Sequence, residues 1–215
     1  MKGMFITFEG TEGTGKSTQI VQLANHLTAH GRDVTLTREP GGTPIGDQVR
    51  RVLLDPANAA LDPKAELLLY AAARAQHLAE LINPALAAGR IVLCDRFSDA
   101  TLAYQGYGRG LDPDLINALD RIVTSGMRPD LTILLDIETA RGLERARGRN
   151  RRSGLETEAR FENEQLPFHQ RVRQGYLELA KREPGRFRIV DASPSPEEIR
   201  DRIRKIVDET LNRAK

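Results

Sequence analysis

The chain has 215 residues, of which 40% are hydrophobic and 29% charged, and this composition is typical of a folded globular protein rather than a disordered one. Its 32 basic and 30 acidic residues leave a net charge of +2, too small for wholesale binding to nucleic acid or to an anionic membrane. We therefore expect neither a nucleic-acid partner nor a membrane partner.

Five short apolar runs rich in β-branched residues predict buried strands. In chain order they cover residues 4–8, 33–37, 90–94, 131–135 and 187–190. Because helical patterns separate the runs, they predict an α/β fold in which helices cover both faces of a parallel sheet, a three-layer sandwich. Ligands of such sheets collect at the carboxyl ends of the strands.

Two helical patterns have a clear apolar face. The first follows the first strand and ends at Gly31. Its predicted buried residues are Ile20, Val21, Leu23, Ala24 and Leu27. The second closes the chain after a capping-box pattern at Ser195 and Glu198. Its predicted buried residues are Ile199, Ile203, Ile206, Val207 and Thr210.

The segment from about 141 to 164 differs in composition from the rest of the chain. It has six arginines between Arg141 and Arg152, few apolar residues, and Gly148 and Gly154 as flexible points. This composition favours a mobile, arginine-rich lid inserted into a single domain of residues 1–215. A solvated basic helix without a catalytic part is the alternative.

Targeting signals are not predicted. Residues 1–6 are followed at once by charge and glycine, and no apolar stretch reaches spanning length. The single cysteine, Cys94, lies inside an apolar run, where a buried thiol is expected rather than a disulfide. These features predict a cytoplasmic protein.

The strongest motif lies between the first strand and the helix after it. Residues 10–17 match G-x-x-x-x-G-K-[ST], in which glycines turn the backbone so that successive N–H groups point at phosphate oxygens. The predicted ATP-binding residues are Gly10, Thr11, Glu12, Gly13, Thr14, Gly15, Lys16, Ser17 and Thr18. A chance glycine-rich turn is the alternative, and the strand-to-helix context argues against it.

Polar residues also follow the second and third predicted strands. Asp95, together with the Ser17 hydroxyl, is suited to hold Mg²⁺, whereas Arg96 is suited to bind the phosphate of an acceptor. An internal ion pair is the alternative. The turn after the second strand predicts a substrate-binding segment, with a plain surface turn as the alternative. It contains Arg38, Glu39 and Pro40.

Four blocks occur in order along the chain: GTEGTGKS at 10–17, REPGGT at 38–43, DRF at 95–97 and YQGYGRG at 104–110. Together they resemble bacterial thymidylate kinases. The resemblance implies a core of five parallel strands, a homodimer, and transfer of the γ-phosphoryl of ATP to dTMP with Mg²⁺, giving dTDP on the way to dTTP.

The same resemblance implies roles at the acceptor site. Tyr70 would stack on the thymine base and Arg74 would donate to its O4, and the two lie one helical turn apart on a shared face. The family usually has Phe where this chain has Tyr70, so the phenol needs a polar partner or a route to water. The remaining predicted contacts to the pyrimidine and sugar are Thr101, Tyr104 and Gln105.

Members of this family carry a catalytic arginine either in the phosphate loop or in the lid. This loop has no arginine and instead holds Glu12, which the resemblance puts near the acceptor sugar. The predicted catalytic cations are therefore Lys16, Arg96 and arginines of the lid. The lid candidates are Arg147, Arg149, Arg151 and Arg152.

Two other functions fit parts of the pattern. A kinase for another monophosphate, of the UMP/CMP or guanylate type, shares the phosphate loop and differs in its acceptor pocket. A P-loop switch or a nucleic-acid-binding ATPase would use the arginines on a phosphate backbone, and the near-neutral net charge argues against it.

Overall fold

A computed structural model describes residues 3–153 and 159–213, without the side chains of 150–153. Its strands are β1 (Met4–Glu9), β2 (Val34–Arg38), β3 (Ile91–Asp95), β4 (Leu131–Asp136) and β5 (Phe187–Asp191). They pair in parallel in the order β2-β3-β1-β4-β5. The five predicted strands are confirmed, and each observed end lies within one residue of its predicted position.

Helices connect the strands and cover both faces of the sheet. They are α1 (Lys16–Ala29), α2 (Pro44–Leu54), α3 (Pro63–His77), α4 (Asn83–Ala87), α5 (Ser98–Thr101), α6 (Pro113–Thr124), α7 (Thr139–Ser153), α8 (Leu166–Arg182) and α9 (Pro196–Arg213). A 3₁₀ turn, Pro56–Asn58, follows α2. Two π-helical turns, Leu78–Ile82 and Leu102–Gly108, continue α3 and α5.

Side chains of the strands alternate between two buried faces. On β1, Ile6 packs in one apolar cluster with Leu23 of α1 and Ile203 of α9, whereas Phe5 packs in another with Leu78. The alternation follows from the two-residue period of a strand. Because both faces are covered, the strands read as continuous apolar runs, and the predicted three-layer α/β fold is confirmed.

Helix α1 follows its predicted pattern with one exception. Ile20, Leu23 and Leu27 are buried, but the prediction for Val21 is wrong, since that side chain is 45% exposed. Each helical residue advances about 100°, so Val21 turns away from the face that Ile20 shares with Leu23 and Leu27. The helix ends at Ala29, and the predicted stop Gly31 follows with a φ of 73°, which suits a glycine.

The closing helix α9 has the predicted cap and core face. The Glu198 N–H donates to Ser195 Oγ at 3.3 Å, and the Ser195 N–H donates to Glu198 Oε2 at 3.1 Å. This reciprocal pair is a capping box. Ile199, Ile203 and Val207 are buried against the sheet, and each contributes about 1.5–3 kcal/mol of burial free energy.

The predicted lid segment begins and ends in packed structure. In α7, Leu143 and Ala146 are buried, and Phe161 beyond the helix is buried as well. From its low apolar content the segment was expected to pack little against the rest of the protein. A few apolar residues at its two ends are nevertheless enough to bury those ends. Residues 154–158 lie outside the described part of the chain, so a mobile lid and the single-domain boundaries stay predictions.

Candidate active site

The loop of residues 10–17 joins β1 to the first turn of α1. Gly10, Gly13 and Gly15 have φ of 135°, 70° and 89°, a region that other residues rarely adopt. Gly15 caps α1 without any side-chain hydrogen bond, and the first turn holds no acidic residue. A Cβ at Gly15 would meet nothing within 4 Å. An open, uncapped helix N-terminus of this kind is suited to bind an anion.

Lys16 folds back over this loop. Its Nζ donates to the carbonyl oxygens of Gly10 and Thr11, at 3.0 and 2.8 Å, and to Thr14 Oγ1 at 3.3 Å. The Thr14 hydroxyl in turn donates to the Thr11 carbonyl at 3.0 Å. These bonds hold the loop around the ammonium group. Thr18, the last predicted ATP contact, is exposed in the first turn of α1.

The Lys16 ammonium group is less stable in this buried loop than in water, although it stays the main form at neutral pH. Burial, joined by the charge of Arg96, lowers the pKa of Lys16 to about 8, although Asp95 and Glu12 oppose the shift. A polyphosphate in the loop would add negative charge and raise the pKa again. Anion binding at this loop is therefore coupled to protonation of Lys16.

Ser17 and Asp95 meet at the carboxyl edge of the sheet. Ser17 Oγ donates to Asp95 Oδ2 at 2.9 Å. A hydroxyl and a carboxylate are oxygen ligands of the kind that Mg²⁺ prefers, and they leave positions for water and phosphate. The described residues contain no cluster of three or more His, Cys, Asp and Glu that could hold a metal by itself. The donor set fits the predicted Mg²⁺ if a nucleotide supplies further ligands.

Arg96 connects the phosphate loop to the opposite wall of the site. Its NH1 donates to the Gly10 carbonyl and to the Tyr176 hydroxyl, both at 3.0 Å. Its NH2 donates to the Tyr104 hydroxyl at 3.0 Å and lies 3.5 Å from Glu12 Oε1. These contacts use four of the five guanidinium N–H groups, so among the described contacts Nε is left for a ligand.

Glu12 is a buried carboxylate inside the phosphate loop. Its Oε1 accepts from the Tyr104 hydroxyl, and its Oε2 accepts from His169 Nδ1 at 3.0 Å. Burial raises the pKa of Glu12, but the His169 hydrogen bond and the charges of Arg96 and Lys16 outweigh burial and hold the pKa at about 2. Glu12 is therefore ionised at neutral pH.

A cavity of about 470 Å³ lies beside the phosphate loop, and its volume suits a small ligand. Gly13, Lys16, Ser17 and Asp95 line one part of it. The lining also includes every predicted acceptor residue: Arg38, Glu39, Pro40, Tyr70, Arg74, Arg96, Thr101, Tyr104 and Gln105. The structure thus brings part of the predicted ATP-binding set, namely Glu12, Gly13, Lys16 and Ser17, to the same cavity as the predicted acceptor residues.

Arg74 is fixed at the cavity wall by buried polar contacts. Its Nε donates to Glu39 Oε2 at 2.8 Å, and its NH2 donates to Thr101 Oγ1 at 2.9 Å. The other oxygen of Glu39 lies 3.0 Å from His77 Nδ1, and His77 Nε2 lies 2.7 Å from Thr37 Oγ1. This chain of contacts orients the guanidinium before any ligand binds, while donation to a thymine O4 stays a prediction.

Tyr70 lines the same cavity from the preceding turn of α3, as the shared face predicts. Burial raises the pKa of the Tyr70 phenol, and the charge of Glu66 raises it further. The phenol is therefore neutral, and the cavity gives it the route to water that a tyrosine at this position needs. Its stacking on a base stays a prediction.

A family model described as thymidylate kinase matches residues 8–203. The chain belongs to the thymidylate kinase family. The thymidylate kinase of Trichlorobacter lovleyi is 62% identical over 196 residues, covering 91% of this chain and 92% of the relative. That of Syntrophotalea carbinolica is 56% identical and covers 97% of this chain and 96% of the relative. The crystal structure of the thymidylate kinase from Ehrlichia chaffeensis superposes with a TM-score of 0.77 at 35% identity, over 97% of this chain and 99% of that one.

The lid arginines predicted from the family resemblance differ in position. Arg149 lines the cavity, and its NH2 lies 3.5 Å from Glu162 Oε1. Arg147 is exposed, and its NH2 donates to the Glu162 carbonyl at 3.2 Å. The side chains of Arg151 and Arg152 lie outside the described part of the chain. Of the described candidates, Arg149 is the one that faces the site.

Several lining residues were missed by the sequence reasoning. Arg50 of α2 lines the cavity, and its NH1 donates to the Pro40 carbonyl at 3.0 Å. The sequence feature that could have indicated Arg50 is its position in the helix that follows the predicted substrate-binding turn. Phe161 and Glu162 also line the cavity, and an aromatic residue at the end of a basic segment was the available hint.

A second missed feature is the buried carboxylate of Glu66, which is 0% exposed. It accepts from Gln105 Nε2 at 2.8 Å, from Arg160 NH2 at 2.6 Å and from Arg109 NH2 at 3.2 Å. The cluster therefore anchors one predicted acceptor residue. No local pattern indicates it, because these partners lie 39 to 94 residues away along the chain.

In residues 3–153 and 159–213, no helix has the length and apolar character needed to cross a membrane.

Proposed function

We propose that this member of the thymidylate kinase family transfers the γ-phosphoryl group of ATP to dTMP, giving ADP and dTDP in nucleotide biosynthesis. The observation that carries the proposal is the cavity shared by the phosphate loop and the predicted acceptor residues. Ligands bound by these two sets of residues would bring their phosphates together beside Arg96. The printed name of the relatives, thymidylate kinase, supports the same acceptor.

On the donor side, the loop N–H groups and Lys16 would bind the phosphates of ATP. Mg²⁺ held beside Ser17 and Asp95 would neutralise part of the phosphate charge when bound. Phosphoryl transfer passes through a loose transition state that needs alignment and positive charge rather than a nucleophilic side chain. Lys16 and Arg96 are fixed by hydrogen bonds close to that point, which favours a preorganised site.

On the acceptor side, the guanidinium groups of Arg96 and Arg50 line the cavity and would bind the phosphate of dTMP. Arg96 has its Nε left for a ligand, and Arg50 lines the same cavity. Tyr70 offers an aromatic face for the base. Arg74 is already held by Glu39 and Thr101, so little side-chain entropy is lost when the base binds.

The lid would add a further positive charge during transfer. Among the predicted candidates Arg147, Arg149, Arg151 and Arg152, we assign this role to Arg149, because its side chain lines the cavity. An arginine supplied in this way accelerates related phosphoryl transfers by about 10³-fold or more.

We also propose a homodimer, formed through the adjacent helices α2, α3 and α6. These helices expose large apolar side chains, of which Ile122 is the most exposed at 78%. The others are Ile45, Val52, Leu68 and Leu115. Exposed apolar side chains on neighbouring elements are typical of a contact surface. A cytoplasmic location is in keeping with the free, buried thiol of Cys94.

The test is a panel of monophosphates, namely dTMP, dUMP, UMP, CMP and GMP, assayed by coupled detection of ADP with ATP and Mg²⁺. We expect dTMP to have the highest kcat/KM. Loss of the thymine methyl costs about 1–3 kcal/mol in an apolar pocket, so dUMP should be a poorer substrate rather than an inactive one. Turnover of UMP, CMP or GMP above dTMP would refute the proposed acceptor.

A further inference from the structure

His169 of α8 contacts the phosphate loop from a fully buried position. The side chain is 0% exposed, and its Nδ1 lies 3.0 Å from Glu12 Oε2, across 157 residues of sequence. The other ring nitrogen, Nε2, is buried and has no hydrogen-bond partner among the described residues. The imidazole therefore makes one polar contact in this part of the chain, and that contact is to Glu12.

The hydrogen-bond pattern determines where the imidazole carries its proton. A proton on Nε2 would be a buried donor without an acceptor, which is costly, whereas a bare Nε2 lone pair costs less. The Glu12 carboxylate is an acceptor only, so Nδ1 must be the donor. His169 thus holds Glu12 by donating its Nδ1 proton to the carboxylate.

This hydrogen bond fixes one of the two carboxylate oxygens of Glu12. Oε1 is held by Tyr104 and Arg96, whereas the described partner of Oε2 is His169. Without His169, Oε2 loses this hydrogen bond, and the charge of Lys16, which already acts on the carboxylate, draws Oε2 toward the ammonium group. A carboxylate beside Lys16 would compete with the ATP phosphates for the ammonium group.

We propose that His169 is a positioning residue that keeps the Glu12 carboxylate turned toward the acceptor sugar, where it accepts a hydrogen bond from a sugar hydroxyl. This inference rests on the proposed function, because Glu12 and Tyr104 both line the cavity in which the acceptor would bind. Its consequence is specific: His169 governs how strongly the enzyme distinguishes an acceptor that has the sugar hydroxyl from one that lacks it.

The test compares dTMP with 3′-deoxythymidine monophosphate, which lacks the 3′-hydroxyl, in the wild type and in two variants. His169→Leu removes the donor, and His169→Asn keeps a neutral N–H donor near the position of Nδ1. We expect the wild type to prefer dTMP, with a preference about tenfold smaller in His169→Leu and largely retained in His169→Asn. Both variants lose the ring packing, so the melting temperature of each should be lower than that of the wild type.

The ratio of kcat/KM for dTMP to kcat/KM for 3′-deoxythymidine monophosphate separates a positioning role of His169 from a structural one. A His169→Leu variant that keeps the wild-type ratio would overturn the inference, whatever its turnover, and so would a wild type that shows no preference. Should His169→Leu fail to fold, His169→Gln replaces it, since its longer amide cannot put a donor at Nδ1, and the same loss of preference is expected. A wild type that binds ATP but does not phosphorylate dTMP would refute the proposed function instead.

Discussion

Gly13 of the phosphate loop and Gly142 of α7 face each other without room for a side chain on either. A Cβ on Gly13 would overlap the Gly142 carbonyl, and a Cβ on Gly142 would lie 2.7 Å from the Glu12 carbonyl oxygen. The first turn of α7 therefore rests directly on the backbone of the phosphate loop. The segment that carries the lid arginines and the loop that binds phosphate form one packed unit at this point.

Gly142→Ala should weaken ATP binding, because the new methyl group must push the loop backbone at Glu12 away from its position. We expect about a tenfold loss of affinity, measured by calorimetry with ATP and Mg²⁺. Alanine is favoured over glycine within a helix by about 1 kcal/mol, so helix propensity alone would stabilise α7 and does not explain a loss of ATP affinity. Gly148→Ala is the matched control, since a Cβ there meets nothing within 4 Å. Equal ATP affinity in both variants would contradict the steric account.

ATP binding should be accompanied by proton uptake near pH 8. The pKa of Lys16 is about 8 in the free protein, so about half of the ammonium groups are deprotonated at that pH. The phosphates raise this pKa, and the bound state takes up the missing protons. Calorimetry at pH 8 in buffers of different ionisation enthalpy should detect the uptake, and it should vanish at pH 6. Uptake that persists unchanged in Lys16→Arg would assign the proton to another group.

Glu9 should make the stability of the protein depend on pH. Burial and the charge of Asp99 raise its pKa from the usual 4.5 to about 8. A raised folded-state pKa gives a contribution to stability that is complete below about pH 4.5 and is lost as pH rises through 8. Glu9→Gln cannot ionise, so its stability relative to the wild type should rise between pH 5 and 8. Urea unfolding at both pH values measures this, and a constant difference would show that Glu9 is ionised throughout.

Glu66→Gln should destabilise the protein strongly. The carboxylate is the counter-charge of Arg160 and Arg109, and its removal leaves the buried charge of Arg160 without its ion pair, whereas Arg109 keeps Glu164. Loss of one partner of a buried ion pair costs about 3–5 kcal/mol, measured here by urea unfolding. Glu164→Gln is the control, since its carboxylate pairs with Arg109 while 28% exposed and should cost less than about 1 kcal/mol. Similar losses of unfolding free energy in the two variants would contradict the argument that burial of Glu66 causes the large destabilisation.

The parts of the fold that sequence could predict are those that depend on short-range patterns. The strands are buried on both faces, so each appears as a continuous apolar run, and the loop of residues 10–17 is a contiguous motif. Arg38, Glu39, Pro40 and Arg96 were assigned from their positions after predicted strands, whereas Tyr70, Arg74, Thr101, Tyr104 and Gln105 were assigned because the ordered motifs resemble a known family. Their arrangement around one cavity agrees with that assignment.

The parts that could not be predicted depend on contacts between distant segments. His169 reaches Glu12 across 157 residues, and Arg160 reaches Glu66 across 94. A histidine or arginine on an amphipathic helix or in a basic segment carries no sign of such a partner. Tyr104 and Gln105 lie in the π-helical turn Leu102–Gly108. This turn could not be predicted from the spacing of apolar residues, because π turns lack a distinctive sequence period.

The central claim is that one cavity holds both nucleotides with their phosphates facing each other across Arg96. The most direct measurement is inhibition by a dinucleotide in which adenosine and thymidine are joined through five phosphates. The account predicts that this compound competes with ATP and with dTMP alike and binds more tightly than either substrate. Competition with ATP alone, with the KM of dTMP unchanged, would contradict it.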